Sequence, residues 1–442
     1  MKSINPFSGA LINDWPVLSV LEVNQRIQAA NDFKSNRDHF PKKAAEMAKT
    51  LRQKKIQLAQ MASQEMGKPI SQSLLEIEKC AWCCEFYSEN AEEFLKDRMI
   101  PTENAISLVR YEALGVWLAI MPWNFPFWQV IRCAIPCLAV GNKVVLKHAS
   151  NVQGCAKALE EVFWEAGFAK EEFQNLSMSS NEVAAIIAHP FIKGVSFTGS
   201  EFAGREVASQ AGRHLKPCIL ELGGSNAFII TPTADLDKAV EDVIMGRFQN
   251  NGQSCIAAKR LLVHASIYEE TMQRLTQRIS QLSLGDPMDD RTFIGPLAKP
   301  EFNELLLEQV KRSIEEGAHV ECGGEVIDGV FQPTLLTHVS EEMICMQEEL
   351  FGPVLPICSF ETMEEAVRIS NSTHFGLGVS IYGRNLQEWA SHFQEGAVFF
   401  NSIVKSDPRM PFGGVKNSGF GRELGPEGLY SFTNIKTIVG QT

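Results

Sequence analysis

The run Asn250-Asn251-Gly252-Gln253-Ser254-Cys255 presents one thiol after a turn of small and short polar residues, and a basic strand, Lys259-Arg260-Leu261-Leu262-Val263, follows it. Such a turn lets the backbone approach a ligand closely. A thiol there becomes nucleophilic where nearby donors and positive charge favour the thiolate. Residue type alone does not single out Cys255, because the chain has eleven cysteines and free cysteine is among the most buried of residues. Its candidate partners lie elsewhere. Asn124, in Pro122-Trp123-Asn124-Phe125-Pro126, offers an amide donor, and Glu221, in Leu220-Glu221-Leu222-Gly223-Gly224, offers a carboxylate. Taken singly, Asn124 also fits a helix cap before Phe125-Pro126, and Glu221 in an apolar strand also fits a buried ion-pair partner. Jointly, thiol, amide and carboxylate are the groups that covalent catalysis with a general base requires.

The elements that must position them follow an α/β rhythm. From Val20 to about Lys96 the pattern is helical, with a stop at Gly67-Lys68-Pro69. Cys80, Cys83 and Cys84 fall within it and Cys133 and Cys137 recur at helical spacing, so both groups read as packing residues and no metal site is expected. Ala105 to Glu112 alternates at period two, as a ribbon that pairs with another subunit would; the terminal segment Thr433 to Val439 suggests the same. After Gly115, apolar strands (Val116 to Met121, Lys143 to Lys147, Gly194 to Thr198, Cys218 to Leu222) alternate with helices of ten to fifteen residues. That is the signature of βαβ units in a parallel sheet, with a ligand at the carboxyl ends of the strands. No G-x-G-x-x-G occurs; Phe197-Thr198-Gly199-Ser200, with Gly204 beyond, is the nearest equivalent and would turn a helix N-terminus towards a pyrophosphate. The alternation resumes from Ala234 through Cys255 to Asn401, so two α/β halves with a cleft between them are expected.

Bulk composition narrows the function. The chain has 442 residues, 45% of them hydrophobic and 21% charged, as in ordinary globular proteins. A net charge of -12 argues against a nucleic-acid partner, which would need clustered Lys and Arg. The N-terminus lacks an apolar signal region and no run is long enough to span a bilayer, so a cytoplasmic chain with reduced thiols and no membrane partner is expected.

In order and spacing, the Asn124, Glu221 and Cys255 segments, with Glu348-Glu349-Leu350-Phe351-Gly352-Pro353-Val354 and Pro411-Phe412-Gly413-Gly414-Val415-Lys416-Asn417-Ser418-Gly419, resemble the aldehyde dehydrogenase superfamily over nearly the whole chain. The resemblance implies two Rossmann-type parallel-sheet domains plus a small β oligomerisation ribbon. Residues 1–95 and 112–224 would bind the dinucleotide, 225–412 would carry the cysteine, and 96–111 with 430–442 would join subunits into a homodimer or homotetramer. It also implies NAD- or NADP-dependent oxidation of an aldehyde to an acid. Cys255 would attack the aldehyde, Asn124 and the Cys255 backbone N–H would hold the oxyanion, and Glu221 would activate water against the thioester. Trp123, Lys147, Ser150, Gly199, Ser200, Leu222, Glu349 and Phe351 would meet the cofactor.

Two departures from the common pattern bear on specificity. Ser150 stands where many NAD-preferring relatives carry a Glu that repels a 2′-phosphate, and His148 where Pro is usual, so NADP should be accepted, with dual use. Trp128 and Arg132, four apart on one helix face, could line the aldehyde tunnel with an aromatic wall and a cation; Arg132 matches, and Ser406 lies near, substrate positions of succinate-semialdehyde dehydrogenases, and the surrounding segments resemble a bacterial branch of them. Arg132 also fits a salt bridge on a helix surface. A second Arg found in some of those enzymes is Gln249 here, and Lys405 or Arg409 could substitute for it. The expected substrate is succinate semialdehyde, with another short aldehyde such as glutarate semialdehyde, or a non-catalytic relative, as alternatives. A phosphorylating or CoA-acylating variant is disfavoured by Glu221, and a cofactor-free cysteine hydrolase by the absence of any His in the Cys255 segment.

Overall fold

Val116–Met121, buried at every residue, lies within a six-stranded sheet. From one edge the strands run Gly419–Phe420, Cys218–Glu221, Ile192–Thr198, Val116–Met121, Lys143–His148 and Phe173–Asn175, all parallel except the first. A strand covered on both faces needs no polar alternation, and its side chains divide accordingly. Trp117, Ala119 and Met121 pack under Phe40–Gln53, Ile70–Phe94 and Trp128–Ala139, whereas Val116, Leu118 and Ile120 meet Val23 and Ile27 of Val20–Asp32 and Val207 and Ala211 of Glu201–Arg213. The computed structural model describes residues 1–441; Thr442, the last position of the expected segment 430–442, lies outside them.

The second sheet has seven strands: His319–Cys322, Thr334–Thr337, Val354–Phe360, Ala258–His264, Asn226–Ile230, Val379–Tyr382 and Val398–Phe400. Only the first is antiparallel to its neighbour. The same division recurs: Ala227, Ile229 and Leu262 face one core, and Phe228, Ile230, Leu261 and Val263 the other. The chain therefore has the α/β architecture expected of it, with Cys255 just before a central strand of the second sheet.

Four features sharpen the reading from sequence. Phe173–Asn175 and the short helix Val183–Ala188 were not anticipated, because segments of that length carry no measurable periodicity. The ribbon Ile106–Ala113 pairs along its whole length with Thr433–Gly440 of the same chain, and with Arg98–Met99 on its other side. Met99, Ile106, Ile435 and Val439 remain exposed on that three-stranded sheet. All eleven cysteines are unpaired; Cys80, Cys83, Cys84, Cys133 and Cys137 are buried packing residues of their helices. Among the described residues no helix is long and apolar enough to cross a membrane.

Candidate active site

The loop carrying Cys255 is held by its own side chains. After helix Leu236–Phe248, Asn250, Asn251 and Gly252 are all left-handed, with φ of 55°, 57° and 72°. Asparagine tolerates this region because its amide can satisfy nearby backbone. Here Asn250 Nδ2 donates to the carbonyls of Asn124 (2.9 Å) and Gln253 (3.0 Å), and Asn251 Nδ2 to those of Gly67 (2.9 Å) and Pro296 (2.8 Å). A Cβ on Gly252 would collide with the backbone of Gly352. Buried Arg247 completes the joint by donating to the carbonyls of Leu350 (2.9 Å), Gly352 and Val354 (2.7 Å). The Cys255 and Glu349-to-Pro353 motifs, a hundred residues apart, are thus one structural unit.

Cys255 borders two cavities. One of about 420 Å³ is lined by Pro122, Trp123, Asn124, Gly199, Ser200, Leu222, Gly223, Phe302, Glu349 and Phe351 among others. The second, about 190 Å³, is lined by residues including Lys68, Glu76, Lys79, Trp128, Arg132, Gln249, Lys405, Ser406 and Phe412. Asn124 is buried beside the thiol, its Nδ2 donating to the Gln253 carbonyl at 3.0 Å and its Oδ1 accepting from Gln129 at 3.5 Å. Burial pushes the Cys255 thiol above its ordinary pKa; Arg132 and Lys259 favour the thiolate, and Glu349 and Glu221 oppose it. The resting group is therefore a thiol, with two cations near enough to assist its ionisation.

Glu221 ends strand Cys218–Glu221 but lines neither cavity. Its Oε1 lies 2.7 Å from where a Cβ of Gly413 would stand, so the second glycine-rich motif gives the carboxylate its room. Both carboxylate oxygens are buried without a hydrogen-bond partner. Burial and the neighbouring Glu423 push its pKa well above the usual carboxylate range, against the pull of Arg132 and Arg422. Arg132 is not on the surface: it is buried, its Nε is 2.5 Å from Glu423 Oε2, its Nη2 donates to Thr198 Oγ1 at 3.2 Å, and its guanidinium lies over the Phe412 ring at 4.8 Å. Glu423 went unnoticed in the sequence, where it follows Arg422 in an ordinary-looking loop.

The larger cavity has the fittings of a dinucleotide site. Ser200 caps helix Glu201–Arg213 by accepting from the Ala203 N–H (3.4 Å), so free backbone donors of a first helical turn face the end of the strand Ile192–Thr198. Gly199 and Gly223 border the space where any side chain would intrude, on Phe197 and on Glu349 respectively. Glu349 accepts from the Gly224 N–H (3.2 Å) and pairs with buried Lys259, which also donates to the carbonyls of Gly224 (2.7 Å) and Cys255 (3.1 Å). Trp123 stacks on Phe302 at 5.1 Å and meets Phe351 edge-on at 5.8 Å. Phe302 gave no signal in sequence, being one aromatic in the amphipathic helix Pro300–Glu315. Lys147 and Ser150 sit off this cavity, at the end of the adjacent strand Lys143–His148. Lys147 is half-buried and Ser150 exposed. Burial and then the charge of Lys299 lower the Lys147 pKa. His148 is a structural tie: its Nδ1 accepts from Ala149 N–H (2.9 Å), its Nε2 donates to Pro126 O (2.8 Å), and burial lowers its pKa to about 4, so it stays neutral.

In the smaller cavity, Trp128 Nε1 donates to Ser406 Oγ at 3.1 Å, and Lys79 Nζ donates to the same oxygen at 2.7 Å while lying 4.2 Å from the Trp128 ring centre. Lys79 gave no signal in the sequence, where Glu76, Glu78, Lys79 and Glu85 read as the solvated charges of one helix. Glu76 accepts from the Phe127 and Trp128 N–H groups (2.9 Å each) and so anchors the start of helix Trp128–Ala139. Arg409 does not reach this cavity: it pairs with Asp407 at 2.7 Å and covers Trp82. Lys405 borders it from an exposed position.

The chain is similar to known proteins in sequence and in fold. The sequence profile of the aldehyde dehydrogenase family matches residues 1–438. A succinate-semialdehyde dehydrogenase (NADP(+)) of Mycobacterium tuberculosis is 41% identical, with 99% of each chain covered. A succinate semialdehyde dehydrogenase (NAD(P)+) of Escherichia coli is 39% identical over 99% of this chain and 97% of its own. The crystal structure of succinic semialdehyde dehydrogenase from Streptococcus pyogenes, in complex with NADP+ as the cofactor, superposes with a TM-score of 0.96 at 32% identity, covering all of both chains.

Proposed function

The chain belongs to the aldehyde dehydrogenase family, and from that premise we propose that it oxidises succinate semialdehyde to succinate with NADP, NAD serving as a second cofactor. The observation that carries this reading is the position of Cys255, shared by a cavity with the fittings of a dinucleotide site and a small cavity walled by an aromatic ring and cationic side chains. The names of the relatives support the substrate.

In this proposal Cys255 Sγ gives its proton to solvent water and bonds to the aldehyde carbon, and Asn124 Nδ2, with the Cys255 N–H, stabilises the oxygen anion that forms. A preorganised donor of this kind lowers the barrier by about 2.7–4 kcal/mol. A nicotinamide dinucleotide bound beside the sulfur would supply the hydride acceptor that the change from aldehyde to thioester oxidation level requires. Trp123, Ser200, Leu222, Glu349 and Phe351 would hold it there, with Lys147 and Ser150 at the adenosine end. Glu221 then turns from its niche beneath Gly413 to take a proton from water, which attacks the thioester and releases the acid and the Cys255 thiol. Burial and Glu423 raise its pKa, the direction that makes its carboxylate a stronger base. Trp128, Arg132 and Ser406 surround the far end of the aldehyde.

Residues 1–95 and 112–224 would form the dinucleotide-binding half, 225–412 the half carrying the cysteine, and 96–111 with 430–441 a sheet that joins subunits into a dimer or tetramer. The apolar residues exposed on that sheet support this assignment. The charge balance and unpaired thiols support a cytoplasmic enzyme without nucleic-acid or membrane partners. The test is a panel of succinate semialdehyde, glutarate semialdehyde, butanal and propanal, each assayed with NADP and NAD. The expected result is the highest kcat/KM for succinate semialdehyde with NADP, and equal rates for charged and uncharged aldehydes would refute the substrate assignment.

A further inference from the structure

The charges around the smaller cavity do not all have partners. Lys68 forms a fully buried ion pair with Glu76, and Arg132 one with Glu423. Lys79 forms no ion pair among the described residues; its ammonium contacts only the Ser406 hydroxyl and the Trp128 ring. A half-buried ammonium whose partners are a neutral hydroxyl and an aromatic face retains its capacity to bind an anion, whereas a guanidinium already matched by a carboxylate has little left.

Resting on the reading above, we infer that Lys79, supported by Ser406, is the group that captures the carboxylate of the substrate and so sets the preference for a carboxylated aldehyde. Ser406 Oγ accepts from both Lys79 and Trp128, so its own proton is free to point into the cavity as a second donor to the same carboxylate. Lys79, Trp128, Ser406 and Cys255 all line the smaller cavity, so this anion site and the reacting sulfur border the same space. The volume of about 190 Å³ suits a short chain between the two.

The charge state of Lys79 gives the inference a readout independent of folding. Burial first, and Arg132 second, lower its pKa to about 8, against the opposing influence of Cys80, Cys83 and Glu76 on its own and adjacent turns. Lys68, Lys405 and Glu423 are the other charged groups around the site, two of them in the pairs just described. Because kcat/KM reports the free enzyme, discrimination is complete below pH 8 and is lost as pH rises above it. The ratio of kcat/KM for succinate semialdehyde to that for propanal should fall about tenfold per pH unit well above 8.

The experiment measures that ratio in the full-length enzyme with saturating NADP. Lys79→Met should lower it about 30-fold or more at pH 7, mostly through KM for succinate semialdehyde, while propanal turnover by the same preparation certifies the fold. Lys79→Arg, which stays charged, should abolish the pH dependence above 8. Lys405→Ala should leave the ratio within about twofold, as an exposed charge does. A ratio unchanged by Lys79→Met, or one lowered by Lys405→Ala instead, overturns this inference alone. A wild type that does not distinguish the two aldehydes overturns both this inference and the proposed substrate.

Discussion

The two cavities that meet at Cys255 are built by different means. The larger is shaped by turns and glycines, by the end of a helix and by three aromatic rings, and Glu349, tied to Lys259, is its one charged lining residue. The smaller is bordered by Lys68, Glu76, Lys79, Arg132 and Lys405, projected mainly from two helices. Backbone geometry is hard to change without unfolding the loop that carries it, so the first cavity suits a group common to many reactions. Side chains on helices can be exchanged singly, so in the proposed function the second is where the substrate is chosen. The thiol belongs to both, and Cys255→Ala should abolish oxidation of charged and uncharged aldehydes alike, by about four orders of magnitude or more in kcat. Binding of NADP, followed by fluorescence titration, should stay within about twofold. Residual turnover of either aldehyde class at wild-type rates would mean that the cavities serve different reactions.

Arg132 is the point at which the contrast is most easily broken. If it served only as a substrate anchor, Arg132→Met would spare stability and raise KM for carboxylated aldehydes alone. Its burial against Glu423 implies the reverse. The change leaves Glu423 as an unpaired buried carboxylate next to Glu221, a loss of about 3–5 kcal/mol in unfolding free energy, and kcat should fall for every aldehyde because the surroundings of Glu221 change. Denaturant unfolding measures the first effect and the two-aldehyde comparison the second. Adding Glu423→Gln should restore much of the stability, since the uncompensated charge is then gone. A loss confined to the carboxylated substrate, with stability intact, would move Arg132 into the role assigned above to Lys79.

The same contrast explains how much could be read from the chain alone. The sheets were visible as apolar runs punctuated by glycine, and the larger cavity as motifs, because a turn that must pass close to a ligand dictates residue types locally: Gly252 and the two asparagines before it are needed for the path itself. Lys79 and Glu423 were not visible. Both are ordinary residues in ordinary surroundings, and what distinguishes them is a partner far along the chain, Ser406 for Lys79 and Arg132 for Glu423. Spacing also suggested that Arg132 faces the cavity, which it does, but no spacing could tell that its charge is already matched. Charge pairing across the fold is a tertiary property, and it decides which of several cations remains available.

In the proposed function, charge-based choice on the cofactor side falls to one place outside the main cavity, and the effect expected there is the smallest. Ser150 is exposed at the end of the strand bearing Lys147, whose ammonium feels the charge of Lys299 rather than that of a carboxylate. Two cations and a hydroxyl favour a phosphate. In Ser150→Glu a carboxylate would neutralise Lys147 and repel a 2′-phosphate; near a protein surface such a repulsion is worth about 1–2 kcal/mol. KM for NADP should therefore rise about tenfold while KM for NAD stays level or falls, and added salt should shrink the difference. Equal shifts for both cofactors would place the 2′-position away from Ser150 and return discrimination to the shape of the larger cavity. A selective shift would show that each side of Cys255 keeps one unmatched cationic site, with the electrostatic choice of ligand made at these two sites and the remaining walls supplying fit.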